Sequence, residues 1–313
     1  SEQDRYGLIF YAKNYESGKE QTMKKGIIVA ITVVILIGVI ALNINKDEAK
    51  QVSAKQGTEL EMEENDGRDS NSSEERLTYT SYENDINADN AREIENMLNK
   101  WNYLRTDGKK IAYLTFDDGP SIETTPKILE TLRNNEIKAT FFVLGSNVEK
   151  SDTQKELLKE MVKEGHAIGN HGYCHNYSIL YPGRVADTTA FINDMEKSEN
   201  VMKSVLGDDF STKVIRFPGG HMSWKTGNLD PVLEQHGYTY IDWNVLNGDA
   251  EGNGKTVEQL INRLKETITN LCGNDDVLVV LMHDTDAKPT TAESLQQSID
   301  YLKSLGYEFR TLK

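Results

Sequence analysis

Cysteine is nearly absent: Cys174 and Cys272 are the only two in 313 residues. That excludes a disulfide framework, although an extracellular setting would permit one bridge. Positive charge is also short, with 35 Lys and Arg against 50 Asp and Glu and a net charge of −15. Such a balance argues against nucleic acid as a partner. No internal repeat is present beyond an alternation of strand and helix patterns. Between residues 47 and 89 only four residues are Leu, Ile, Val or Phe, too few to build a core.

One long hydrophobic run is present. Residues 26–44 are 19 positions without charge, and only Thr32 and Asn43 among them are strongly polar. At about 1.5 Å per residue the run spans roughly the 30 Å of a bilayer core. No Ala-x-Ala arrangement follows it, so an uncleaved anchor is expected rather than a signal peptide. Arg5, Lys13, Lys19, Lys24 and Lys25 precede the run, whereas Lys46 is followed at once by Asp47 and Glu48. The positive-inside rule then keeps residues 1–25 in the cytoplasm and sends the carboxyl-terminal bulk outside the cell membrane. Met23-Lys24-Lys25 reads as a natural start, which leaves 1–22 outside the expected natural protein.

Residues 47–100 hold 15 acidic and 6 basic positions, more than half of the chain's net charge. The reading is a solvated, disordered acidic stalk over 45–89. A helical lead-in segment follows over 90–105, with Ile94, Met97, Leu98 and Trp101 at helical spacing and Asp89 or Asn90 as cap. A folded domain occupies 106–313. Its strand candidates are 110–116, 140–144, 167–169, 214–217, 238–244, 277–282 and 308–312, separated by helical stretches near 125–134, 154–164, 188–206, 229–236, 256–271 and 293–304. Strands joined by crossover helices imply parallel pairing, and about 200 residues suffice for a barrel.

Chemistry concentrates where strands run out. Thr115-Phe116-Asp117-Asp118-Gly119-Pro120 sets two carboxylates on a turn. Taken alone it is ordinary turn chemistry, but adjacent carboxylates repel and are kept together chiefly for a metal or a shared proton. His171 and His175 are four apart, a spacing that lets two imidazoles reach one ion. Arg216-Phe217-Pro218-Gly219-Gly220 and Leu281-Met282-His283 follow further strands.

In this order the four motifs resemble the signature of the polysaccharide deacetylases, carbohydrate esterase family 4 or the NodB-homology domain, over roughly 105–313. The resemblance implies a distorted (β/α)7 or (β/α)8 barrel and removal of N-acetyl groups from a polysaccharide. It implies that Asp118, His171 and His175 hold a divalent metal, zinc first, with cobalt, nickel or manganese compatible. Asp117 is then the general base, Arg216 orients it and holds it ionised, Gly219 offers an N–H to the oxyanion, Leu281 lines the acetyl groove, and His283 is the acid. An anchor plus a stalk puts such an enzyme beside wall glycan, so N-acetylglucosamine of peptidoglycan is the expected substrate. Acetylated xylan, chitin oligomers and exopolysaccharide share the acetyl chemistry and stay open, as does the oligomeric state.

Two departures stand out. Gly172 follows the first histidine where the family usually has Ser or Thr, whose hydroxyl braces the loop, so lower metal affinity is expected. In Trp243-Asn244-Val245-Leu246-Asn247-Gly248-Asp249-Ala250, Leu246 takes the place of the Asp that tunes the acid histidine and Ala250 that of a Trp. Either His283 is less basic than usual, or Asp249 or Asp284 substitutes. A glycan-binding protein on a degenerate barrel, or a purely structural envelope protein, is the rival reading; the retained base, acid and ligand set argues against both. Trp224 and Trp243 are candidates for stacking on sugar rings, Trp243 equally for burial in the fifth strand, and Cys174 for plain packing.

Overall fold

The computed structural model describes residues 79–272 and 275–313. The expected cytoplasmic tail (1–25), the anchor (26–44) and most of the stalk lie outside the described residues. Among the described residues no helix is long and apolar enough to cross a membrane.

Among the described residues ten strands run in chain order: β1 Ala88–Asp89, β2 Ile111–Asp117, β3 Thr140–Val143, β4 Ala167–Asn170, β5 Val214–Ile215, β6 Thr239–Tyr240, β7 Val245–Leu246, β8 Val277–His283, β9 Glu308–Phe309 and β10 Thr311–Leu312. The main sheet has the order β6-β5-β4-β3-β2-β8-β7, with β9 added at the start of β2 and every pair parallel. Parallel strands buried on both faces need apolar residues at almost every position. β2 and β8 show this: all seven residues of β2 are buried, and all of β8 but His283.

Period-2 alternation divides the work. Ala112, Leu114 and Phe116 pack with Leu278, Val280 and Met282 under the outer helices, including Ile128, Leu132, Leu295 and Ile299. Ile111 and Tyr113 face inward with Val277 and Val279 and meet Ala91, Ile94 and Leu98 of the helix Ala91–Lys100. This is the lead-in helix, capped as anticipated by Asn90, whose side chain accepts the Arg92 N–H. It plugs the sheet at the amino ends of its strands. The inward side chains left at the other end of β2 are Thr115 and Asp117.

Two expectations are corrected. Residues 238–244 do not form one strand. β6 stops at Tyr240 and β7 begins at Val245, and the two, though consecutive, are not paired. The sheet is therefore curled with a seam instead of a ring closed by strand hydrogen bonds. Side chains anchor the connecting segment on either side of that seam: Arg216 Nε donates to Ile241 O at 2.8 Å, while Asn244 Oδ1 accepts the Val279 N–H at 2.8 Å and its Nδ2 donates to Val277 O at 2.9 Å. Trp243 sits in this irregular segment, not in a strand.

The second correction concerns the stalk, which cannot extend to residue 89. β1 pairs with β10, Tyr79 donates to Ile168 O at 3.4 Å with its ring edge-on to Phe210, and Lys313 Nζ meets Asp85 Oδ2 at 2.7 Å. Residues 79–89 are thus a strap over the domain. A chain begun at Asn90 is expected to melt about 4 °C or more below one begun at residue 78, since a domain of this size loses about 2–4 °C per kcal/mol. Differential scanning calorimetry of the two checks it, and equal melting temperatures would show the strap to be energetically idle.

Candidate active site

The site lies at the carboxyl ends of the strands, and register assembles it. Asp117 and His283 are partners in the β2–β8 ladder, so they stand side by side at the rim. Asp118 follows at φ +74°, a left-handed turn that sends two adjacent carboxylates in different directions. Gly119 lets the turn close, because a Cβ there would come within 2.0 Å of Asp284 Oδ2.

Asp117 points inward and is 2 % exposed. Its Oδ1 accepts from Arg216 Nη1 at 2.8 Å. Arg216 is fully buried: Nη1 also meets Thr115 Oγ1 at 2.7 Å, Nη2 reaches Asp242 O at 3.3 Å, and the guanidinium lies 4.2 Å from the centre of the Phe142 ring. Burial pushes the Asp117 carboxyl above its ordinary range, and Arg216 only partly offsets this. Arg216 does pull the carboxyl pKa down, as expected of an opposite charge, while burial pulls it up.

Asp118, His171 and His175 converge, with ligand-capable atoms all within 4.8 Å of one another. Asp118 Oδ1 lies 3.6 Å from the Nε2 of each ring. His171 Nδ1 is 2.9 Å from Arg216 O. A carbonyl only accepts, so Nδ1 carries the proton and Nε2 presents its lone pair to the cluster. Burial and the neighbouring His175 lower the His171 pKa to about 3, which keeps the ring neutral. Asp118 Oδ1 is buried without a hydrogen-bond partner. An orphaned carboxylate oxygen facing two imidazole nitrogens fits a divalent cation of the His/carboxylate kind.

On the other side, Asp249 holds His283. Its Oδ1 accepts from His283 Nδ1 at 2.8 Å, and its Oδ2 accepts the His283 N–H at 2.8 Å and Thr291 Oγ1 at 2.8 Å. Burial opposes charge on the ring, but Asp249, with Asp118 and Asp117 behind it, outweighs burial and raises the pKa to about 10. The less basic His283 anticipated from Leu246 is therefore overturned, and substitution by Asp249 is what the geometry shows. Leu246 is instead the ladder partner of Leu281 in β8, and both line the cleft with Ala250. Asp284 faces away from the ring: its Oδ2 accepts from Thr125 Oγ1 at 2.6 Å, and burial raises its pKa to about 7.

The cleft encloses about 340 Å³ between these groups, with Tyr177, Gly219, Gly220, Met222 and Trp243 on its walls. Trp243 packs against Gly220, where a Cβ would meet its ring at 2.7 Å. Trp224 has a different place: it stacks on Tyr181 at 4.1 Å and donates Nε1–H to Pro218 O at 2.9 Å, bracing the Gly219 loop. Cys174 is a free, partly buried thiol whose pKa is raised by burial. Sequence reasoning missed Thr115 and Asp242. The Asp242 carboxylate accepts the N–H groups of His221 and Met222 at 2.9 and 3.3 Å and so fixes the turn after Gly220.

A carboxylate and an imidazole side by side at the rim of one cleft, beside an Asp–His–His cluster on a curled parallel sheet, fit a hydrolase of the carbohydrate esterase type. Residues 104–241 match the polysaccharide deacetylase family model. A putative polysaccharide deacetylase, YheN, of Bacillus subtilis is 32% identical over 207 residues, covering 66% of this chain and 68% of that protein. A peptidoglycan-N-acetylglucosamine deacetylase of Bacillus cereus is 32% identical over 215 residues, 68% of this chain and 73% of its own. In structure, a carbohydrate esterase family 4 enzyme of Streptococcus mutans aligns with a TM-score of 0.65 at 39% identity, over 72% of this chain and 92% of that one. The chain belongs to the polysaccharide deacetylase family, whose chemistry is hydrolysis of N-acetyl groups.

Proposed function

We propose that the protein is a divalent-metal-dependent deacetylase of peptidoglycan N-acetylglucosamine, held at the cell membrane by residues 26–44 with its catalytic domain outside. The observation that carries it is the base–acid pair, Asp117 and His283, set at one ladder position next to the Asp118–His171–His175 cluster. The B. cereus relative, named for this activity, supports the substrate. When bound, a divalent cation, zinc by first choice, supplies Lewis acidity toward the acetyl carbonyl and makes a water easier to deprotonate.

The chain's own residues do the rest. Asp117, lifted in basicity by burial and fixed by Arg216, takes a proton from water as its oxygen attacks the amide carbon. The Gly219 N–H is offered to the oxyanion. His283 stays charged at neutral pH and gives its Nε2 proton to the amine as the C–N bond breaks. Leu246, Leu281 and Ala250 receive the acetyl methyl.

Muropeptides digested after treatment with the protein are expected to lose one acetyl mass per modified glucosamine. Unchanged muropeptides together with activity on acetylxylan would overturn the substrate. Recovery in the soluble fraction of lysed cells would overturn the anchor.

A further inference from the structure

The imidazoles of His171 and His175 hang on a loop that makes no regular structure, yet its amides are satisfied. Asn170 Oδ1 accepts the Gly172 N–H at 2.9 Å. Asp194, from the helix Thr188–Leu206, accepts the Tyr173 N–H on Oδ2 at 2.7 Å and the Cys174 N–H on Oδ1 at 3.2 Å. Asn170 is itself tied to that helix, donating Nδ2–H to Met195 O at 2.9 Å. All three amides between the two imidazoles therefore end on side chains fixed by one helix. On the opposite side, the carbonyls of Gly172 and Tyr173 accept the N–H groups of Gly145 and Ser146 at 3.0 and 3.3 Å.

Building on the metal-dependent reading, we propose that Asp194 is a positioning residue for the ligand loop, holding His171 and His175 at the separation that lets one cation bridge them and Asp118. Gly172 is the other half of this device. Its φ is +82°, and a Cβ there would stand 2.4 Å from Asp194 Oδ2, so glycine is what lets the carboxylate approach the two amides. Position 172 thus has no hydroxyl because the brace comes from across the gap. The loop turns left-handed again at His175, φ +47°, a conformation costly for a side-chain-bearing residue that the anchored amides help to hold. Losing the carboxylate would leave two amides without their acceptor and free the imidazoles to drift apart. Outer contacts of this kind set metal affinity by about 10- to 100-fold.

The test is zinc affinity at neutral pH, by competition with a chromophoric chelator, on the full chain and its Asp194→Ala, Asp194→Asn and His171→Ala variants. Metal-free thermal unfolding is recorded alongside. Asp194→Ala is expected to weaken zinc binding by about 10- to 100-fold. Asp194→Asn keeps a single acceptor oxygen in nearly the same volume and should fall between it and wild type, which keeps the question answerable if the alanine variant folds poorly. A purely structural role would lower the melting temperature of both variants and leave zinc affinity unmoved. If both Asp194 variants bind zinc as wild type does while His171→Ala does not, the positioning role is wrong and the metal reading stands. If wild type takes up no zinc, cobalt, nickel or manganese, the metal reading fails and this role with it.

Discussion

Asp249→Asn is expected to lower kcat/KM by about 100-fold, the lower end of what a general acid contributes, and to draw the alkaline limb of the pH–rate profile toward acid. The substitution leaves an oxygen near His283 Nδ1 but removes the charge that outweighs burial. Without it, desolvation acts against the protonated ring, whose ordinary pKa is 6.5, and only Asp118 and Asp117 still favour its charge. The wild-type limb should lie above that value and below about 10, because a cation among Asp118, His171 and His175 offsets the carboxylates that help to raise it. Leu246→Asp should not rescue the variant, since Leu246 belongs to the apolar wall with Leu281. The experiment is the pH dependence of wild type, Asp249→Asn and Leu246→Asp; an unmoved limb in Asp249→Asn would sink the assignment. Stability should follow the same linkage. His283 is more basic folded than unfolded, so its contribution is complete below about pH 6.5 and lost as pH rises toward 10.

Neighbouring carboxylates should separate turnover from metal uptake. Asp117→Asn is expected to cost about 1,000-fold in kcat or more while the protein still takes up one divalent ion, because Asp117 is spent on Arg216 and on the proton of water. Asp118→Asn should lose metal and activity together, since its Oδ1 is the atom 3.6 Å from both imidazoles. Metal content by plasma emission spectroscopy, set beside single-turnover rates, checks both. Metal retained in Asp118→Asn and lost in Asp117→Asn would reverse the two roles.

The central strands and the three polar residues at their ends, Asp117, Asp118 and His283, were legible in the sequence for one reason. β2 and β8 are buried on both faces, so they appear as unbroken apolar runs, and the first polar residue after such a run falls at the rim. Short strands left no comparable trace. β6 and β7 are two residues each, and the run over 238–244 that joins them on paper is divided by Arg216, which takes the carbonyls of Ile241 and Asp242 for itself. That detour also left the partner of His283 open between Asp249 and Asp284 on paper: Leu246 is held in the ladder to Leu281, and the turn beyond it brings in Asp249 three residues later. Asp194 was invisible because a mid-helix aspartate looks like surface, and only tertiary packing turns it toward the loop. The end of the stalk was misplaced by composition, since β1 and Tyr79 dock through few residues within an acidic stretch.

Arg216 ties down the backbone after β6, holds the Asp117 carboxylate and receives a histidine on its own carbonyl, all from one buried position. Mutational decay of the family's activity at this position therefore cannot leave an intact, inert protein behind. A neutral residue there would strand the Asp117 charge and open the β6–β7 junction, exposing backbone to proteases and to the cell's quality control. Alleles at Arg216 should behave as reduced abundance in an immunoblot before any defect is seen in the wall.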